Sequence, residues 1–186
     1  MCFRDLAAIP LGLDGLHIRA PHINDVPALT DALGNFDVTS MLASVPFPCP
    51  AEAVAGWVEI ALARRAIGNG LQFVISDASD VGGPALGSVG FSSFGDRAEL
   101  GFWLSLSVHG KGIMTAAVRA ALHCAFDHGA TTIVSGAFID NPASLQLQKK
   151  LGFDSVGERC VYSLSRRQKL AHIDTRLERR QFVETA

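Results

Sequence analysis

The residues of this chain whose types and spacing can do chemistry lie mostly between Glu99 and Ser144. The run His109-Gly110-Lys111-Gly112-Ile113-Met114-Thr115 stands between a strand-like segment and a helix-like one. Two glycines at such a junction let the backbone turn tightly. They also leave several N–H groups unpaired at a helix N-terminus, where the dipole adds positive potential. That combination holds a phosphate or pyrophosphate, although the same spacing also serves as a plain tight turn. The loop is not a Walker loop, because the GxxxxGK(S/T) spacing is missing. Nor is it a dinucleotide fingerprint, because no third glycine follows. Lys111 is either a charge contact to phosphate or a solvated loop lysine. His109 beside an anion could act as a pH-dependent clamp, or it could cap or pack against the turn.

The remaining reactive side chains are scattered. His17, His22, His123, His128 and His172 show no zinc-ligand spacing, so no metal is expected. Cys2, Cys49, Cys124 and Cys160 form no CxxC and read as reduced thiols of a cytosolic protein. The 186 residues suit one domain, 1–186, with 48% apolar and 18% charged residues. A net charge of −2 argues against nucleic acid as the main partner. The arginines from Arg166 to Arg180 are interleaved with Asp174 and Glu178, which reads as a solvated face. No apolar run reaches membrane-spanning length, and the N-terminus lacks a signal-peptide core.

The positioning elements follow from periodicity. Met114, Ala117, Val118, Ala121, Leu122, Ala125 and Phe126 form one apolar helical face after the glycine loop. Before it, Arg97–Leu104 reads as a strand with Glu99, Gly101 and Trp103 on one face. Upstream, a first strand spans Leu16–Arg19. A helix runs to Leu33 with Asn24 as its N-cap and Val26, Leu29 and Leu33 inward. Pro46-Phe47-Pro48 is a stiff loop. A second helix starts near Ala51 with Val54, Trp57, Val58, Ala61 and Leu62 on one face. Strands are expected at Leu71–Ser76 and Ala85–Ser93, joined by the turn-rich Asp77–Pro84. Downstream come a strand at Thr132–Phe138, a helix opened by Asn141-Pro142 and closed by Gly152, and strands at Ser155–Leu164 and Leu170–Phe182. The order is strand, two helices, three strands, helix, strand, helix, two strands, a mixed α/β sheet with helices on both faces.

From Leu16 to Phe182 the chain resembles the GNAT acyltransferase superfamily, in particular its branch of bacterial ribosomal-protein N-acetyltransferases (RimJ/RimL type). The anchors are Leu16–Pro21, Pro46-Phe47-Pro48, Trp57, Glu99–Leu104, His109–Thr115, Asp140–Ser144 and Leu151-Gly152-Phe153. The resemblance implies a mostly antiparallel twisted sheet of about seven strands whose fourth and fifth strands splay apart. Acetyl-CoA would lie in the gap as acyl donor, its pantetheine pairing with the backbone near Trp103, Leu104 and Leu106. Its pyrophosphate would meet His109, Gly110, Lys111, Gly112, Ile113, Met114 and Thr115. The superfamily turn is Gln/Arg-x-x-Gly-x-Gly/Ala; Gly112 matches it, whereas His109 and Met114 depart from it.

The implied reaction is acetyl transfer to a primary amine by direct attack in a ternary complex. It needs a neutral amine, a stabilised oxyanion and a protonated leaving thiolate. Glu99 is the candidate base, and a surface carboxylate paired with Arg97 or a cross-strand partner is the plainer alternative. Asn141 and Ser144 would face the pantetheine and sulfur, and Ser144 could protonate the thiolate; Asn141 is also explained as a cap. Many members use a tyrosine on this helix, where Gln148 stands here. Phe47 and Trp57 would wall the acceptor pocket with Glu99, although both suit a core. No cysteine occupies a nucleophile position, so a covalent route has no support. The acceptor is a protein N-terminus or a small-molecule amine. The other reading is a non-catalytic acyl-CoA sensor of the same fold. A homodimer is expected from family habit.

Overall fold

A computed structural model describes residues 3, 6–13, 15–77 and 84–182. Among these residues eight strands form one sheet: β1 (Ile9–Pro10), β2 (His17–Arg19), β3 (Leu71–Ser76), β4 (Ala85–Phe91), β5 (Arg97–Leu104), β6 (Thr132–Phe138), β7 (Asp154–Ser163) and β8 (Gln168–Glu178). Their spatial order is β1-β2-β3-β4-β5-β6-β8-β7. Every neighbouring pair is antiparallel except β5–β6, which is parallel. The short β1, paired to β2 through Ile9↔Ile18, adds an eighth strand to the seven expected. A two-residue strand carries no readable alternation. Much of the expected Asp77–Pro84 turn lies outside the described residues.

Among the described residues five α-helices flank the sheet: α1 (Val26–Leu33), α2 (Phe36–Thr39), α3 (Ala51–Ile67), α4 (Ile113–Asp127) and α5 (Pro142–Lys150). On one face, Ala117, Val118, Ala121 and Leu122 of α4 pack with Leu71, Phe73, Val89, Phe91 and Leu100, and α5 brings Leu151 to Ile133 and Leu177. On the other face, Leu29, Leu33, Val54 and Val58 of α1 and α3 cover Val74 and Ala85. Strand alternation therefore sends Glu99 and Trp103 towards the α1–α3 side and Leu100 towards α4. Burying each of these valine, leucine, isoleucine and phenylalanine side chains contributes roughly 1.5–3 kcal/mol.

Local chemistry explains where the expected elements shift. A 3-10 turn over Ile23–Asp25 leads into α1, and that turn is capped by His22; Asn24 does not cap. The His22 side chain accepts from the Asn24 N–H at 3.1 Å, and Asp25 accepts from the His22 N–H at 2.7 Å. Asp25 is committed to this because it is buried against Arg19, which donates to both carboxylate oxygens at 2.8 and 2.9 Å. Removing one partner of such a buried pair costs about 3–5 kcal/mol. Leu62 is 39% exposed rather than inward, and the last strand stops at Glu178 because a short 3-10 turn takes Arg179–Gln181. α3 ends at Gly68, whose φ of 74° is the left-handed cap that glycine supplies at no steric cost.

Candidate active site

The site begins where the sheet opens. β5 and β6 pair only through Arg97↔Thr132, Ala98↔Ile133 and Glu99↔Val134, although β5 runs on to Leu104 and β6 to Phe138. The expected splay of these strands is present. At its apex the Ser135 hydroxyl donates to the Leu100 carbonyl at 3.0 Å. A cavity of about 920 Å³ occupies the gap and continues under α1 and α3. Of the residues expected at the site, Trp57, Glu99, Trp103, Leu104, His109–Thr115, Asn141 and Ser144 line it. Leu106 and Phe47 do not: Leu106 is 44% exposed in a 3-10 turn, and Phe47 packs edge-on against Phe36 at 5.0 Å between ring centroids.

The glycine turn has the geometry its sequence suggested. Gly110 and Gly112 adopt φ of 76° and 75°, which explains the need for glycine at both. Gly112 is the N-cap of α4, and no side chain caps that end. The first backbone bond into the helix runs from the Ala116 N–H to the Gly112 carbonyl at 3.1 Å, so the Ile113, Met114 and Thr115 amides lie outside the helical ladder. Lys111 sits on the same wall, and so does Lys150 in the last turn of α5, a second cation. The His109 ring does not stand free as a clamp: its Nε2 lies 3.0 Å from the Leu104 carbonyl, tying the turn back to the end of β5.

α5 meets the gap from the other side. Asn141 caps it, its side-chain oxygen accepting from the Ser144 N–H at 3.2 Å. Gln148, at the position where many members of the resembled superfamily carry a tyrosine, is fully buried. Its amide nitrogen approaches the Gly136 carbonyl at 3.4 Å and the Ser144 oxygen at 3.1 Å, while its oxygen accepts from the Thr175 hydroxyl. A carbonyl can only accept, so Gly136 fixes which end of the amide faces Ser144. Ser144 therefore receives a hydrogen bond from Gln148 and keeps its own O–H to donate.

At the acceptor end Glu99 is exposed and accepts from the Ser92 hydroxyl at 3.2 Å; among the described residues neither Arg97 nor a cross-strand cation pairs with it. Arg64 of α3 shares this wall and donates to the Ser92 carbonyl at 2.6 Å. The site residue that sequence reasoning missed is His172 of β8, which lines the gap beside Ser135–Phe138. A lone histidine in an alternating strand gives no local signal; only the β6–β8 register Phe138↔His172 brings it there. Among the described residues no cluster of three or more His, Cys, Asp or Glu is arranged to hold a metal, and no helix is long and apolar enough to cross a membrane.

The comparisons with known proteins agree with this geometry. The fold is shared with the microcin C7 self-immunity acetyltransferase MccE, solved with acetyl-CoA and AMP, at a TM-score of 0.79 and 16% identity over 95% of this chain and 98% of that one. RimL, the ribosomal L7/L12 α-N-protein acetyltransferase, solved with coenzyme A, gives 0.77 and 21% over 92% and 97%. Mycobacterium smegmatis RimJ, solved with a CoA disulfide, gives 0.77 and 17% over 96% and 88%. No curated protein sequence matches the chain. Residues 16–154 match the acetyltransferase (GNAT) domain, three quarters of the length, and with the open β5–β6 ladder beside an uncapped glycine turn they make this chain a member of the GNAT acetyltransferase family.

Proposed function

We propose that this N-acetyltransferase moves an acetyl group from acetyl-CoA to a primary amine by direct attack within a ternary complex, the amine being a peptide N-terminus or a small molecule. The observation that carries the reading is the end of the β5–β6 ladder at Glu99↔Val134, after which β5 has no strand partner on its β6 side, next to the uncapped start of α4. Extended pantetheine can use the free strand edge, as an added strand would. The pyrophosphate suits the open amides of residues 113–115, with Lys111 and Lys150 supplying positive charge. That arrangement brings the thioester to the apex, between Glu99 on one strand and Ser144 on α5.

Chemistry then divides among side chains. Glu99 draws an ammonium group to the acceptor wall, with Trp57 as its apolar side. Ser144, supplied with a hydrogen bond by Gln148, points its O–H at the leaving sulfur and protonates the thiolate. Cys49 and Cys124 take no part. Burial pushes the thiol of each up, Cys124 to about 11, so neither supplies a thiolate for a covalent intermediate.

Calorimetric titration with acetyl-CoA and with free CoA, followed by a thiol-release screen of peptide and small-molecule amines, tests the proposal. Micromolar binding with thiol release is the expected result. Binding without thiol release for any amine replaces the enzyme with an acyl-CoA sensor; no binding at millimolar concentration removes both readings.

A further inference from the structure

An α-amine with a pKa of about 8 enters a neutral solution mostly as ammonium, so transfer needs a proton acceptor in the cleft. Glu99 meets this need poorly: it is exposed to water and held by the Ser92 hydroxyl. His172 is placed differently. Its side chain is 13% exposed, and it lines the gap. Its ring lies on Gly136, two residues beyond the last β5–β6 pair. A side-chain carbon at 136 would fall 2.4 Å from the His172 Cε1, so only glycine admits the ring there. The Phe138 ring meets it edge-on at 5.7 Å.

The ring is also oriented. His172 Nδ1 lies 3.0 Å from an Asp174 carboxylate oxygen, and Arg159 of β7 grips both oxygens of that carboxylate at 2.8 and 2.9 Å. A carboxylate gripped by a guanidinium accepts and does not donate, so Nδ1 carries the hydrogen and the Nε2 lone pair is left free. All three residues lie on the sheet face that also carries Glu99, the acceptor side. We infer that His172 is the general base of the acyl transfer, a catalytic residue whose imidazole Asp174 and Arg159 hold in the basic tautomer. This rests on the acetyltransferase reading and narrows the expected role of Glu99 to attracting the ammonium group.

The proton balance is simple. The ammonium form of the acceptor gives one proton to Nε2, and the resulting imidazolium is stabilised by Asp174. The neutral amine then forms the new C–N bond as the thioester C–S bond breaks. The second amine proton is lost and the departing sulfur gains one from Ser144, which is restored by that proton. The imidazolium proton goes to water. Burial lowers the His172 pKa below the ordinary 6.5; Asp174 raises it and Arg159 lowers it, with burial the largest effect. Beyond it, the Arg166 guanidinium paired with Asp140 lies 4.6 Å from the centroid of the Phe138 ring, which itself meets His172. A lowered histidine pKa keeps the neutral base populated at pH 7 and loses it as pH falls below 6.5. The acidic limb of kcat/KM therefore lies below that value.

The test combines turnover with spectroscopy on the full chain. Thiol release from acetyl-CoA is followed from pH 5 to 9 with an alanine-initiated tetrapeptide and with glycinamide, for wild type, His172→Gln and Asp174→Asn. The expected result for His172→Gln is a kcat about 100-fold lower with the acetyl-CoA KM unchanged and the acidic limb gone. Asp174→Asn lowers kcat about tenfold. Thermal midpoints and acetyl-CoA affinity, measured by calorimetry, report folding of both variants. Nitrogen NMR of the wild-type His172 ring should show the lone pair on Nε2 at pH 7, with the single tautomer lost in Asp174→Asn. Thiol release retained by His172→Gln with its acidic limb intact overturns this inference alone. A lone pair on Nδ1 overturns it as well. Thiol release absent from wild type and variants alike overturns the acetyltransferase reading, and the base role with it.

Discussion

Two helices point their N-termini at the same gap, and they end differently. α5 caps itself: the Asn141 side chain takes the Ser144 amide, and Pro142 occupies the first turn. α4 starts at Gly112, which has no side chain to offer, and its first amides stay open. The difference teaches that a helix end is a ligand site only when the sequence declines to fill it. The self-capped end instead fixes Ser144, the proposed acid, in the first helical turn. One terminus is thus left open for the proposed pyrophosphate, and the other is held rigid.

The comparison breaks most severely if α4 is given a cap of its own. In Gly112→Asp the carboxylate competes for the open amides and repels pyrophosphate, and aspartate tolerates the left-handed backbone there better than most residues. Calorimetry should show acetyl-CoA affinity about 100-fold lower, while the thermal midpoint moves by only about 3 °C. Ser144→Ala tests what the capped terminus is for. Its kcat should fall about tenfold with acetyl-CoA affinity unchanged, and unchanged turnover would remove Ser144 from the mechanism.

Asn141→Ala uncaps α5 in turn. Denaturant unfolding should report a loss of about 1 kcal/mol, with acetyl-CoA affinity kept within about twofold. If affinity falls with stability, Asn141 touches the ligand as well as the helix. The smallest effect belongs to Lys111→Ala. An exposed lysine near phosphate is worth about 0.5 kcal/mol, read as a two- to threefold weaker affinity with a shallower dependence on salt.

These two termini also mark what could be read from the chain alone. The α4 turn was legible because a backbone site is written in contiguous residues: two glycines, then a helical period. The α5 cap was legible for the same reason, in Asn141-Pro142. The Arg19–Asp25 pair was not, because its effect was to hand the cap from Asn24 to His22 through a tertiary contact. Gln148 could be aligned with a family tyrosine, but its bonds to Gly136, Ser144 and Thr175 come from three elements. His172 was invisible for the strongest version of this reason. Asp174 stands two residues along the same strand, but Arg159 and Gly136 reach it only through the β6–β8–β7 register, which no local pattern encodes. Backbone sites follow from local sequence, whereas side-chain sites follow from topology.

The short β5–β6 ladder has a mechanical consequence. Three pairs join the two parts of the sheet, whereas β6 and β8 share seven. A load applied across the strands therefore concentrates on residues 97–99 and 132–134, with the Ser135–Leu100 bond as the next link at the open end. In engineering terms the sheet is two stiff plates with a narrow weld at one end, and the weld is the compliant joint about which the width of the gap is set.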